Sequence, residues 1–258
     1  MISHIQTVKE GNWVPIHEIP CNDEVASLLS SFNSMIAIQT KMRDDLIEAE
    51  KLKQQLSLNL LQQQVNPHFL YNTLDNICAL AELDEKETLI QLVMNLSSFY
   101  RSSLSNGKMH ISIGQELEIS RAYLEILQIR YFHKFDFTIT CPEALKNYSC
   151  IKLLLQPILE NSIYHGIKGL DRHGILHIEA EDTGDCIRFT ISDNGRGFSK
   201  EDYEKIWQED ADHFGIKSIQ QRILLYYGPG YGLSMQSPQT GGCITVITLP
   251  KQEGLPCH

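Results

Sequence analysis

The sequence lacks any run of the roughly 18 to 20 apolar residues that a bilayer-spanning helix needs. Its first stretch also lacks a charged segment followed by an apolar one, the pattern of a signal peptide. Positive charge is scarce. There are 22 Lys and Arg against 32 Asp and Glu, a formal net charge of -10. That balance argues against direct nucleic-acid binding, because phosphate contacts need clustered cations. The seven cysteines form no CxxC pair. An odd, scattered set fits reduced cytosolic thiols rather than a disulfide framework. Cys21, Cys78, Cys141 and Cys150 belong to no motif and read as packing or surface thiols. There is no internal repeat and no low-complexity segment.

Glycine and proline are missing from the whole stretch 24–65. The apolar residues there step by three and four: Val25, Leu28, Phe32, Met35, then Met42, Leu46, Ala49, Leu56 and Leu60. Gln39 and Lys53 fill the two missing seam positions. Such a heptad-like stripe predicts a coiled coil or helical bundle. One helix of about 40 residues would run roughly 60 Å. A lone amphipathic helix of that length needs a partner, and a homodimer is the simplest. A long helix packed on its own domain is the other option. Asn22 and Asp23 can cap its start. Pro67 then predicts a kink, with helix resuming through Phe69, Leu70, Leu74 and Ile77. Further helices are predicted over 83–104 and 113–131. Together with a dimer axis they would make a four-helix bundle.

The character changes near residues 132–135. Strands are predicted over 135–141, 175–180, 186–192, 231–237 and 243–249, with a turn at Gly241-Gly242. Helices are predicted over 151–167 and 215–227, and Ser199 with Asp202 makes a capping box for a short helix. The C-terminal half therefore reads as an α/β sandwich.

Four motifs carry chemistry. A lone histidine, His68, sits beside Pro67 in QQQVNPHFLYNTL. A neutral imidazole is a usable nucleophile near pH 7, although most lone histidines are ordinary packing or surface residues. In LQPILENSIYHG, the polar pair Glu160-Asn161 interrupts an apolar helix. Unpartnered burial of that pair would be costly. Asn161 offers an oxygen to a hard cation such as Mg²⁺, and a hydrogen-bonded buried Asn is the plain alternative. In ISDNGRGF, Asp193 ends a strand and Gly195 and Gly197 let backbone approach a ligand. A simple turn explains that pattern as well. In HFGIKSIQQRI, Gly215 opens a helix whose free N–H groups favour phosphate, or it is an ordinary helix start.

Taken in this order and spacing, the motifs resemble those of the LytS/YesM-type sensor histidine kinases over about 52–250. NPHFLYNTL resembles the phosphoacceptor box, LQPILENSIYHG the N box, DNGRGF the first Gly box, and FGIKSIQQRI the second Gly box of the GHKL ATP-binding fold. CNDEVASLLSSFNSMI resembles the second helix of a HAMP signal-relay module. The resemblance implies an α+β chain with three parts. Residues 1–48 would be a partial HAMP segment, 49–133 a dimerisation and phosphoacceptor domain, and 134–258 a GHKL ATP-binding domain.

The resemblance also implies roles. His68 would accept the γ-phosphoryl group of ATP and pass it to an aspartate of a response regulator. Glu160 would be a catalytic residue beside it in the N box. Asn161 would hold Mg²⁺, Asp193 would bind the adenine amine, and Gly195 and Gly197 would shape the pocket. His165, Gly166, Gly215 and Lys217 would complete the nucleotide site. The chain would work as a homodimer, as the cytoplasmic portion of a protein anchored in the bacterial inner membrane upstream of Met1. Ser162 and Tyr164 stand where the N box usually has Ala and a basic residue, and His213 and Ser218 alter the second Gly box. These departures predict weak ATP affinity, partly offset by Lys217. Two rivals stay open: a GHKL ATPase with Glu160 as general base, and a pseudokinase that relays signals by helix packing. His173 and His177 sit on a predicted strand and read as surface residues.

Overall fold

The computed structural model describes residues 30–48, 67–103, 109–207, 214–239 and 241–252. The chain divides into two compact units, 1–63 and 64–258. In the first, residues 30–48 form helix α1. Three members of the heptad stripe, Met35, Met42 and Leu46, stand exposed on it. The Asn22 and Asp23 cap and the approach to Pro67 lie outside the described residues.

The second unit opens with α2 (Pro67–Glu82) and α3 (Lys86–Ser103). The helix predicted from Leu83 starts three residues later, because Asp84 takes a left-handed φ of 56° and turns the chain. Helix α4 (Ile113–Arg130) is capped reciprocally by Ser112 and Gln115, a pairing that satisfies two of the free N–H groups at a helix start. Most of α4 is buried, including Leu117, Ile119, Tyr123, Leu124, Ile126 and Leu127. Phe69 of α2, Phe99 of α3 and Tyr123 of α4 lock the three helices together, with ring centroids 5.0 to 5.8 Å apart. Offset aromatic packing at such distances adds to plain area burial.

The α/β part holds a five-stranded sheet in the order β2-β4-β5-β7-β6. Its strands are β2 (Phe135–Thr140), β4 (Gly174–Asp182), β5 (Cys186–Asp193), β6 (Gly232–Gln236) and β7 (Cys243–Pro250). Only the β2–β4 pair is parallel. Burial alternates strictly along β4: Leu176, Ile178 and Ala180 are buried, whereas His177, Glu179 and Glu181 are exposed. One face of the sheet therefore carries the core and the other meets water. Helices α5 (Gln156–Asn161) and α7 (Phe214–Tyr227) supply buried Ile158, Leu159, Ile219 and Ile223 to that core. Helix α6 (Lys200–Ile206) follows the Ser199–Asp202 capping box, with both backbone bonds at 3.1 Å.

One predicted element is corrected. The helix expected over 151–167 does not begin at Ile151. That residue ends β3 (Ser149–Ile151), which pairs antiparallel with β1 (His110–Ser112). Leu153 then adopts φ 54°, and α5 begins only at Gln156 with Pro157 in its first turn. Proline is accommodated there because a first-turn N–H has no intrahelical partner. The last turn, Ser162–Ile167, widens into a π-helix, with Lys168 N–H donating to Ile163 O at 2.8 Å.

Candidate functional site

The site grows from the two ends of β5 and α5. Strand β5 delivers Asp193 at its C-terminus, and Asn194 fixes the turn that follows. Asn194 Oδ1 accepts from Ile175 N–H at 2.8 Å, and its Nδ2 donates to His173 O at 3.1 Å. Gly195 N–H then folds back onto Asp193 Oδ1 at 2.9 Å. The other carboxylate oxygen, Oδ2, is buried and accepts no hydrogen bond from any described residue. Burial pushes the Asp193 carboxyl up, opposed by the Ser162 hydroxyl and the N–H groups of Gly195 and Cys243. An orphaned, buried acceptor facing a cavity is suited to an N–H donor of a ligand.

Two glycines make this geometry possible. A Cβ on Gly195 would stand 2.6 Å from Asp193 Oδ1 and 2.7 Å from Gly166 Cα. Gly197 has φ 71°, and a Cβ there would stand 2.9 Å from Gly242 O and closer still to Ser237 Oγ. Gly166 closes the arrangement by accepting Arg196 N–H at 3.1 Å.

A cavity of about 130 Å³ opens beside Asp193. Asn161, His165, Gly166, Asp193 and Gly197 all line it; Gly195 does not, but it packs against Asp193 and Gly166, which do. The π-turn carries Ser162 into the lining as well, and π-turns recur at functional sites.

Other sequence candidates lie elsewhere. Gly215 packs against Pro157, with a would-be Cβ 3.2 Å from Pro157 Cβ. Of the start of α7, Ile216 lines the cavity but Gly215 and Lys217 do not. Glu160 does not line it either; its charge acts on Tyr123 and Tyr164. His213 is outside the described residues. His68 stands exposed on α2 while its neighbour Phe69 is buried. Asn72 Nδ2 donates to His68 O at 2.5 Å. His173 meets Asp136 at 3.0 Å and His177 Nδ1 lies 2.5 Å from Thr138 Oγ1, both on the exposed side of the sheet.

Three lining residues gave little sign of themselves in the sequence. Met235, Cys243 and Thr245 reach the cavity through sheet register, which places Cys243 opposite Asp193 and Thr245 opposite Ile191. Thr245, a buried hydroxyl residue in a mostly apolar strand, was the available signal.

Comparison with known proteins supplies the frame for this geometry. Residues 56–135 match the family described as histidine kinase, and residues 148–253 match the family of histidine kinase-, DNA gyrase B- and HSP90-like ATPases. The chain is 31% identical over 228 residues to the sensor histidine kinase YesM of Bacillus subtilis (strain 168), covering 88% of this chain and 39% of that protein. It is 26% identical over 227 residues to the sensor protein LytS of Staphylococcus epidermidis (strain ATCC 12228 / FDA PCI 1200), covering 85% of this chain and 37% of that protein. The solved catalytic domain of histidine kinase ThkA superposes with a TM-score of 0.45 at 15% identity, over 56% of this chain and 97% of that one. The chain thus spans about two-fifths of the length of the curated relatives it matches.

Proposed function

The chain belongs to the histidine kinases, and on that premise we propose that it is the kinase half of a two-component sensor, which uses ATP to phosphorylate His68 and passes the phosphoryl group to a response-regulator aspartate. One observation carries the proposal: the orphaned, buried Asp193 Oδ2 at the wall of a glycine-shaped cavity that also holds Asn161. Asp193 would accept the adenine amine, with Gly195 and Gly197 keeping the approach open. Asn161 would hold Mg²⁺, whose charge supplies neutralisation of the phosphates when it is bound. His165 and Gly166 would shape the same wall, while Gly215 and Lys217 would face the phosphates from α7. Tyr164 at the position of the usual N-box cation supports modest nucleotide affinity. Glu160, beside Asn161, would act on the α4 side of the site.

His68 suits the acceptor role because its imidazole is exposed on a helix that the buried Phe69 holds in place. We extend the proposal to a homodimer. Helices α2 and α3 leave Tyr71, Leu74, Ile90, Val93 and Met94 exposed, and the α1 stripe is likewise uncovered. Apolar faces of this kind are usually covered by a partner. The three-part division at 48/49 and 133/134, and a membrane link through the HAMP-like segment, belong to the same proposal. No helix among the described residues is long and apolar enough to cross a membrane.

The test is Mg²⁺-dependent labelling from γ-³²P ATP. Acid-labile label on the wild type, lost in His68→Ala, is the expected result. Label that persists in His68→Ala overturns the acceptor assignment, and phosphate release with no labelled protein overturns the kinase reading itself.

A further inference from the structure

Tyr123 sits on α4 with no exposed surface. Its ring packs 5.0 Å from Phe69, the residue after His68, and 5.8 Å from Phe99. Its hydroxyl is buried and has no hydrogen-bond partner among the described residues. Packing does not explain that hydroxyl. The two neighbouring rings are phenylalanines, so the pocket accepts plain phenyl groups, and a buried, unpaired O–H is a cost that phenylalanine does not carry. Such violations of local consistency concentrate at working parts of a molecule.

Burial pushes the Tyr123 phenol far up, and the next contributions come from the charges of Glu160, Tyr164, Tyr131 and Arg130. Arg130 Nη1 donates to Tyr164 Oη at 3.0 Å. The Arg130 guanidinium and the Lys168 ammonium both lie over the rings of Tyr131 and Tyr164, at 5.4 to 5.9 Å. The Tyr123 ring therefore packs against the helix of His68, and the charge of Glu160, the residue that precedes Asn161, acts on its phenol.

We infer that Tyr123 is a positioning residue that couples the His68 helix to Glu160 at the head of the nucleotide site, its hydroxyl donating to the Glu160 carboxylate when nucleotide is bound. The inference rests on the kinase reading above. The bond would fix α5 against α2.

The experiment uses the whole chain with Mg²⁺ and the non-hydrolysable analogue adenylyl imidodiphosphate, alongside ATP labelling. Tyr123→Phe is expected to bind the analogue as wild type does and to melt at the same temperature or higher. Its labelling rate at saturating ATP falls tenfold or more with KM unchanged. The analogue also produces a tyrosine ultraviolet difference spectrum in wild type that is absent in Tyr123→Phe and in Glu160→Gln. Combining the two substitutions costs no more than the worse one alone. An unchanged labelling rate, additive losses, or a difference spectrum that survives Tyr123→Phe overturns the inference. The spectrum needs no phosphoryl transfer, so label persisting in His68→Ala sinks the acceptor assignment and leaves this coupling standing.

Discussion

Glu116 and Arg222 satisfy the same turn of backbone, one its donors and the other its acceptors. Glu116 accepts from the N–H groups of Leu153 and Leu155 at 2.8 and 2.9 Å. Arg222 donates to the carbonyl of Leu153 at 3.2 Å and to that of Lys152. Both side chains are buried. Burial pushes the Glu116 carboxyl up and the Arg222 guanidinium down, and each charge opposes the shift of the other. The turn they hold leads directly into Pro157 and α5, so a residue on α4 and one on α7 together set where the cavity-lining helix begins.

Glu116→Ala should therefore be among the most destabilising single changes in the chain. It strands two buried N–H groups and leaves Arg222 without its opposing charge, a loss of roughly 3–5 kcal/mol. Thermal unfolding monitored by circular dichroism checks it. A melting temperature within a degree or two of wild type would remove the clamp from the account of the fold.

Gly195→Ala should abolish nucleotide binding while the fold persists. The new methyl would meet Asp193 Oδ1 and Gly166 Cα inside 3 Å, so the carboxylate has to leave its place. Titration with a fluorescent ATP analogue measures this, with circular dichroism as the control for folding. Wild-type affinity in the variant would show that Asp193 does not hold the ligand.

Asp193 predicts opposite pH responses for stability and for binding. Its folded carboxyl is raised above the ordinary value of about 3.9. Its contribution to stability is therefore fully present below that ordinary value and is lost as pH rises through the raised one. Ligand binding needs the charged form as acceptor, so affinity should fall on acidification, starting at higher pH than an ordinary carboxylate would give. Dissociation constants measured from pH 7 down to pH 4, with Asp193→Asn as reference, decide it. A flat wild-type profile would rule out the carboxylate as acceptor.

The thiols should react in a fixed order. Cys78 is exposed on α2. Burial pushes the Cys243 thiol up to about 11 and raises that of Cys150, with the Glu116 charge adding to it, well above the ordinary range. At pH 8 only about a thousandth of Cys243 is thiolate, and the thiolate is the reactive form. Among the described thiols, peptide mapping after brief treatment with a thiol reagent should show Cys78 modified before the half-buried Cys243 and the buried Cys150. Early modification of Cys243 would mean that the cavity wall does not shield it as described.

Ile90→Glu together with Met94→Glu should weaken self-association with little change in the melting of each protomer, since both side chains are more than half exposed on α3. Sedimentation equilibrium of the whole chain reads this. Unaltered association would place the dimer contacts elsewhere, for instance along the α1 stripe.

Much of the α/β half was legible in the sequence because its signals are local. The alternation of Leu176, Ile178 and Ala180 with polar neighbours marks one buried face. The glycines around Asp193 mark a turn, and Ser199 with Asp202 marks a helix start. Helix α4 was also found, although burial nearly all round blurs its period. What could not be read was set by pairing at long range. Ile151 looked like the first residue of an apolar helix, but its partner in β1 is His110, some forty residues back.

The sequence by itself determined which residues could carry chemistry: His68 beside a proline, the Glu160-Asn161 pair, and Asp193 with its glycines. These are properties of residue type and spacing, and no fold is needed to see them. Only the tertiary structure decided which of them share a cavity. Asn161, His165, Gly166, Asp193 and Gly197 do, because β5 and the π-turn of α5 meet there. Glu160 does not line it and acts instead on Tyr123, since adjacent helical residues project about 100° apart. The role of Tyr123 had no trace in the sequence at all. An aromatic residue on a buried helix looks like plain core until the structure shows that its hydroxyl has no partner among the described residues.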